Sequence, residues 1–187
     1  ISKITLAQSL KKAGYATGMF GKWHLGDTGS YHPSQRGFDE AIVSAGVHFE
    51  FVTQPPVEYP KGAYLADFLT DKAVDFIRRH KEGPFFLYLP HYAIHKPLQA
   101  KDNLIAKFKT KPAAGGHKDP TYAAMIASVD ESVGRILALL DELKLADNTL
   151  VIFSSDNGGV GGYVREGIKA AGDVTDNTPL RGGKGML

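Results

Sequence analysis

Residues Thr149 to Gly159 place an acid and an amide directly after a short apolar run. The run from Leu150 to Phe153 includes β-branched residues and is typical of a strand buried on both faces of a parallel sheet. Asp156 and Asn157 follow it, and ligands of open α/β sheets bind just beyond the carboxyl ends of strands. Calcium and magnesium prefer oxygen ligands of this kind. The stretch therefore predicts a hard-metal site, although an Asx turn closed by the two following glycines would use the same residues.

Three further loops carry cationic or titratable side chains. Two of them follow predicted strands, and the third lies in the glycine-rich stretch near the end of the chain. They supply Lys22 and His24, His91 and His95, and Arg181 and Lys184. If the strands are parallel, the loops that follow them lie at one edge of the sheet. A metal facing several cations there would suit an anionic tetrahedral ester, because both stabilise developing charge on oxygen.

Each of these side chains also has a structural interpretation. Lys22 alone is typical of a solvated surface lysine, and His24 beside Trp23 could be a hydrogen-bonded structural histidine. His91 is as consistent with orienting its loop as with touching a ligand. The lysine of the glycine-rich stretch lacks the G-x-x-x-x-G-K-[ST] spacing, which excludes a nucleotide-binding P-loop. The shared edge and the order of the loops are what favour a common site.

The elements that must position these loops alternate between helix and strand. The predicted strands are 15–20, 41–43, 85–89 and 150–153, with a long loop at 47–61. A first helix should follow a capping box at Thr5 and Gln8, with Leu6, Leu10 and Ala13 on its apolar face. A second carries a stripe of Leu65, Phe68, Leu69, Ala73, Phe76 and Ile77, and a short third spans 104–108. The fourth starts near Asp119, with an apolar face of Ile126, Val129, Val133, Ile136, Leu137, Leu140 and Leu143.

This order predicts an α/β fold, a mostly parallel sheet flanked by helices on both faces. The sheet should be incomplete in this chain, because a typical sheet has about five or six strands. The chain also begins at Ile1 rather than Met and stops in a glycine-rich loop. We therefore expect it to be an internal piece of a longer protein.

Composition excludes several other classes of protein. With 43% hydrophobic and 22% charged residues, the 187-residue chain is an ordinary globular sequence long enough for one core. A net charge of +2 argues against nucleic acid as a partner. No apolar run reaches the ~20 residues of a membrane span. The chain has no cysteine, so it can form neither disulfides nor thiolate metal sites.

Taken in order, these loops resemble the signatures of the formylglycine-dependent type I sulfatases of the alkaline-phosphatase-like superfamily. The resemblance covers nearly the whole chain. It rests on LKKAGYATGMFGKWHLG (10–26), QRGFDE (35–40), PFFLYLPHYAIHKP (84–97), the Asp156-Asn157 pair and RGGKG (181–185).

The resemblance implies catalytic roles for four residues. Lys22 would bind the sulfate and the hydrated formylglycine. His24 would hold a hydroxyl of that hydrate and help to expel sulfate from a covalent intermediate. His95 and Lys184 would contact the sulfate near the leaving oxygen, and one of them would assist its departure.

The resemblance also implies calcium, with magnesium less favoured, and makes Asp156 and Asn157 its ligands. The formylglycine would come from a Cys or Ser in a C/S-x-P-x-R motif, which is absent, since Ser30 to Arg36 has the wrong spacing. The paired aspartates that complete the metal site are absent too. Both are expected upstream of Ile1, and a C-terminal subdomain downstream. Residues 1–187 would then be the central part of one catalytic domain and inactive alone.

The implied activity is hydrolysis of sulfate esters, with sulfated sugars among the candidate substrates. The implied partner is a formylglycine-generating or sulfatase-maturating enzyme, and the implied location is the periplasm or the outside of the cell. Two alternatives stay open, a phosphoester hydrolase of the same superfamily and a non-catalytic homologue or fragment. The residues upstream of Ile1 would distinguish them.

Overall fold

The computed structural model describes residues 2–26, 28–115, 117–159, 175–180 and 182–184. The chain divides into two compact units, Ile1–Gln99 with Ser128–Thr149, and Ala100–Ala127 with Leu150–Leu187. The first unit contains a three-stranded sheet of order β2-β1-β3. Its strands are β1 (Ala16–Gly21), β2 (Glu40–Val43) and β3 (Phe85–Tyr88). Both pairs are parallel, with Gly18 opposite Glu40 on one side and Leu87 on the other.

The described residues form four α-helices, and two of them start at predicted signals, the first at a capping box and the fourth at a proline. The helices are α1 (Leu6–Lys12), α2 (Leu65–His80), α3 (Asp102–Lys109) and α4 (Pro120–Glu142). The capping box is confirmed, since Thr5 Oγ1 accepts from the Gln8 N–H at 3.1 Å and Gln8 Oε1 accepts from the Thr5 N–H at 2.9 Å. Within the described part of the chain, no helix combines the length and apolarity needed to cross a membrane.

β1 is the central strand and buries side chains on both faces of the sheet. Phe20 packs in one cluster with Leu69 and Phe76 of α2, whereas Met19 packs in another with Ala7 of α1. Successive side chains of a strand point to opposite faces, so each face of the sheet is covered by a helix. The predicted α/β architecture, a parallel sheet with helices on both faces, is therefore confirmed.

The prediction of a buried strand at 150–153 is wrong for the structure of this chain. The segment pairs with no strand in the described residues, and its side chains are exposed, Leu150 at 85% and Phe153 at 75%. An apolar run forms a buried strand only where neighbouring strands and helices cover it. The described part of the chain offers no such cover to these four residues.

Two of the predicted helix faces are also corrected. In α1, Leu6 is exposed at 63% and Ala7 is the buried residue. In α4, Ile126 and Leu137 are exposed, whereas two serines are buried. Ser132 Oγ lies 2.6 Å from Thr70 Oγ1 of α2. Small polar side chains with partners can occupy a helix interface, so hydrophobic periodicity alone misplaced the buried face.

Candidate active site

The loops that follow β1 and β3 lie side by side, as the parallel order predicted. The N–H of Lys22 donates to the carbonyl oxygen of Pro90 at 2.8 Å. This approach requires glycine at position 21, where φ is +141° and any Cβ would overlap the Pro90 carbonyl. The first two candidate loops therefore share one edge of the sheet.

Tyr92 brings Lys22 and His95 together at this edge. The Lys22 Nζ lies 5.9 Å from the centroid of the Tyr92 ring, within cation–π range. The His95 ring stacks on the same tyrosine at 5.0 Å, with an interplanar angle of 28°. The Tyr92 hydroxyl donates to the Lys96 carbonyl at 2.6 Å and lies 3.0 Å from His95 Nδ1. One buried aromatic ring thus supports both predicted sulfate-binding side chains.

The hydrogen bonds of His95 define which ring nitrogen is available. His95 Nδ1 lies 2.9 Å from the carbonyl oxygen of Lys96. A carbonyl oxygen can only accept, so Nδ1 carries the hydrogen and Nε2 has the lone pair in the neutral ring. Nε2 has no hydrogen-bond partner among the described residues. It is therefore the atom that can take up a proton and donate it to a ligand.

His24 does not behave as the hydrogen-bonded structural histidine of the alternative interpretation. It is exposed, whereas its neighbour Trp23 anchors the loop, with Nε1 donating to the Tyr31 carbonyl at 2.9 Å and the indole edge-on to Phe38 at 6.0 Å. The indole fixes the loop and leaves the imidazole of His24 to solvent. His24 is thus accessible, but no contact in the described residues tests its predicted role.

His91 is half-buried and orients its loop through a hydrogen bond to α4. Its Nε2 lies 2.9 Å from Ser132 Oγ. Thr70 donates its hydroxyl hydrogen to the Ala66 carbonyl at 2.6 Å, so Ser132 donates to Thr70 and the His91 Nε2–H donates to Ser132. Burial lowers the pKa of His91 to about 4, which keeps the ring neutral. Of the two interpretations, the structure favours the orienting one.

The second unit contains Asp156, Asn157 and Lys184. The Asn157 side-chain amide donates to Asp156 Oδ2 at 2.6 Å. The Lys184 N–H donates to the Gly159 carbonyl at 3.2 Å. A Cβ at Gly183 would overlap that same carbonyl, so the two glycine stretches approach closely. Arg181 and Gly185 of the predicted RGGKG motif lie outside the described residues.

The donor set at Asp156 and Asn157 fits part of a hard-cation site. Both side chains are exposed and offer oxygen atoms, the ligand type that calcium and magnesium select. Calcium takes six to eight such ligands, and the pair supplies only two. Among the described residues no group of three or more His, Cys, Asp or Glu could hold a metal ion. A calcium site at this pair would need further ligands from outside the described residues.

Sequence reasoning missed two residues that build the first unit's site, Tyr92 and His48. Tyr92 lies within the PHYAIHKP stretch, where its position between two histidines was the available signal. His48 lies in an irregular loop and is fully buried, with its Nε2 2.8 Å from the His95 carbonyl oxygen. No periodicity or motif spacing marks a histidine of that kind.

The first unit is an α/β fold with two candidate loops at one edge of its parallel sheet, and comparison with known proteins identifies its family. The sulfatase family model matches residues 2–187. The chain is 35% identical to human N-acetylgalactosamine-6-sulfatase in an alignment of 180 positions that covers 84% of this chain and 33% of that protein. It is 30% identical to mouse arylsulfatase J, with 99% of this chain and 32% of that protein covered.

Solved structures agree with the sequence comparison. The structure of Ps i-CgsB superposes with a TM-score of 0.76 at 33% identity and covers 96% of this chain and 43% of that one. The same protein in complex with k-i-k-neocarrahexaose gives a TM-score of 0.75. The chain belongs to the sulfatase family. It spans about a third of the length of the curated relatives that it matches.

Proposed function

We propose that the protein containing this chain hydrolyses sulfate esters. The observation that carries the proposal is the joint support of Lys22 and His95 by Tyr92, at the shared edge of two parallel strands in a chain of the sulfatase family. An ammonium group and an imidazole held against one ring present a fixed positive charge and, when the imidazole is protonated, a hydrogen-bond donor to a tetrahedral anion without reorganisation during the reaction.

Each side chain has a defined task in this proposal. The Lys22 ammonium binds the sulfate oxygens and stabilises the charge that develops on them. The His95 Nε2, when protonated, donates to the leaving oxygen, while Nδ1–H stays on the Lys96 carbonyl. Stacking on Tyr92 keeps the imidazole in that orientation. Lys184 is proposed to contact the sulfate, and His24 to hold a hydroxyl of the nucleophile.

Two groups from outside these residues belong to the proposal. A formylglycine made from an upstream Cys or Ser, by a formylglycine-generating or sulfatase-maturating enzyme, would supply the nucleophile. A calcium ion held in part by Asp156 and Asn157 would polarise a sulfate oxygen. We further propose a periplasmic or secreted location, in line with the resemblance.

A sulfated carbohydrate is the proposed substrate class. Support comes from the relatives, one of which is named N-acetylgalactosamine-6-sulfatase and another of which was solved with k-i-k-neocarrahexaose. They are 35% and 33% identical to this chain in alignments that cover 84% and 96% of it.

The test is an assay of the full-length protein with paired chromogenic substrates. After mass spectrometry confirms the formylglycine, the protein should hydrolyse an aryl sulfate and leave the matching aryl phosphate largely intact. A preference for the phosphate would favour the phosphoester hydrolase instead. No turnover of either substrate by the matured protein would contradict an enzymatic function.

The calcium proposal predicts a specific loss at Asp156. Asp156→Ala in the full-length protein should abolish calcium-stimulated activity and leave the melting temperature in calcium-free buffer nearly unchanged, because the side chain is exposed. Asp147→Ala, an exposed acid in the 3₁₀ turn Ala146–Asn148, is the matched control and should behave as wild type. Equal calcium stimulation in both variants would refute the metal role.

A further inference from the structure

His48 is a polar residue at the centre of an aromatic cluster. It is fully buried, and its ring lies 5.9 Å from that of Tyr64 and 5.0 Å from that of Tyr92. Burying an imidazole away from water costs free energy unless its nitrogens find partners. A histidine in this location therefore suggests a role beyond packing, and its hydrogen bonds indicate which role.

In the described residues the imidazole of His48 makes one hydrogen bond. Its partner is the backbone of His95, whose side chain is the proposed proton donor. The Nε2 of His48 lies 2.8 Å from the backbone carbonyl oxygen of His95. Since a carbonyl only accepts, Nε2 carries the hydrogen and Nδ1 has the lone pair. That Nδ1 has no partner in the described part of the chain. Burial lowers the pKa of His48, which favours the neutral ring.

The backbone of His48 is itself fixed to two other elements. Its N–H donates to Gln99 Oε1 at 3.0 Å, and its carbonyl accepts from the N–H of Leu65 at 2.8 Å. Leu65 begins α2, and Gln99 lies in the loop that follows β3 and contains His95. The backbone of His48 thus ties the start of α2 to that loop.

We propose that His48 is a positioning residue for His95. Its Nε2–H donates to the His95 carbonyl, and its ring packs against Tyr92. The ring of Tyr92 in turn stacks on the His95 imidazole. Loss of the donor would let the peptide of His95 rotate and displace the imidazole from its stacked position. Small displacements of a reacting group lower rates steeply. The inference deepens the proposed sulfatase function and, for its kinetic readout, rests on it.

Two substitutions separate positioning from simple packing. In His48→Gln the side-chain amide can replace the Nε2–H donor, whereas His48→Phe fills the space between the two tyrosines without a donor. In the matured full-length protein, His48→Phe should lower kcat by about 10- to 100-fold with little change in KM. His48→Gln should recover most of that loss. Melting temperatures measured in parallel show how far each variant is destabilised.

A second readout does not depend on activity. In full-length protein labelled with ¹⁵N-histidine, the shifts of His95, assigned with a His95→Asn variant, should show the Nδ1–H tautomer in wild type and His48→Gln. In His48→Phe they should move toward a mixture of tautomers. If the wild type proves inactive, the proposed function fails and these shifts still test the positioning role.

Unchanged His95 shifts in His48→Phe would overturn the inference. Equal losses of kcat in His48→Phe and His48→Gln would also overturn it if each loss matched the fraction of protein that had unfolded. Packing alone would then explain both variants. Rescue by glutamine together with a tautomer change in the phenylalanine variant would support it.

Discussion

At the scale of single residues, three histidines of the first unit differ in which ring nitrogen the protein occupies, and the difference separates their roles. His48, which is fully buried, and His91, which is half-buried, donate from Nε2 to the His95 carbonyl and to Ser132, respectively. His95 uses Nδ1 for the protein and leaves Nε2 without a partner among the described residues. The first two build the loop, and the third is free to act on a ligand.

His91 should make stability depend on pH. Its folded pKa of about 4 lies below the ordinary value of 6.5, so the unfolded chain binds more protons between these values. Stability is therefore complete above about pH 6.5 and falls as the pH drops toward 4, by about 2 kcal/mol at pH 5. Denaturant titrations of the full-length protein at pH 7.5 and pH 5 measure this change.

The control for this prediction is His91→Gln, whose amide can still donate to Ser132 but does not titrate. The difference in unfolding free energy between wild type and His91→Gln should shrink, or change sign, from pH 7.5 to pH 5. A difference that is the same at both values would show that His91 does not titrate on unfolding.

Residue identities were predictable where the resemblance marked them and not elsewhere. The GKWHLG and PHYAIHKP stretches pointed to Lys22 and His95, and the structure places both against one ring. The roles given to Lys22, His24, His95, Lys184, Asp156 and Asn157 stay predictions. Tyr92 and His48 act through contacts between loops distant in sequence, which spacing along one chain does not encode.

At the scale of elements, α2 and the sheet were predicted well and the buried face of α4 was not. The stripe from Leu65 to Ile77 is buried as expected, because α2 packs an apolar face onto β1 and β3. The buried positions of α4 include Ser128 and Ser132, which a hydrophobic pattern omits. Ile136 does pack against two core clusters, in line with its predicted place on the apolar face.

A pair of leucines on α4 tests the corrected face. Leu140 is 3% exposed and packs with Ile77, whereas Leu137 on the same helix is 43% exposed. Leu140→Ala should cost about 2–5 kcal/mol of unfolding free energy, through lost burial and the cavity left behind. Leu137→Ala should cost about 0.5 kcal/mol or less. Denaturant titration of both full-length variants measures the contrast, and equal costs would show that the face is still misassigned.

Part of the family-like sequence is structural at this scale. In the QRGFDE stretch, Phe38 packs in the cluster that contains Ala7 of α1 and Met19 of β1. Asp39 Oδ2 accepts from the Thr17 N–H at 3.0 Å. Glu40 forms a two-point ion pair with Arg79 of α2, each distance 2.6 Å. These contacts fix β2 beside β1 and α2, so these residues of the motif help to keep the sheet in register.

At the scale of the whole molecule, strand order decided what could be predicted. Alternating helices and strands gave the parallel sheet and the shared edge of two loops, because these follow from chain connectivity. The run at 150–153 has the composition of a strand but lacks strand partners in the described residues. Composition reports what a segment prefers, and pairing depends on neighbours that composition does not supply.

Family membership and the first unit's geometry meet in one claim, that Lys22 binds the sulfate group of the substrate. The most direct test compares Lys22→Ala with Lys12→Ala, an exposed lysine in the last turn of α1, in the matured full-length protein. Aryl sulfate turnover should fall by about 100-fold or more in Lys22→Ala, because a fixed charge on the developing anion is lost, and stay unchanged in Lys12→Ala. Wild-type turnover in Lys22→Ala would contradict the account.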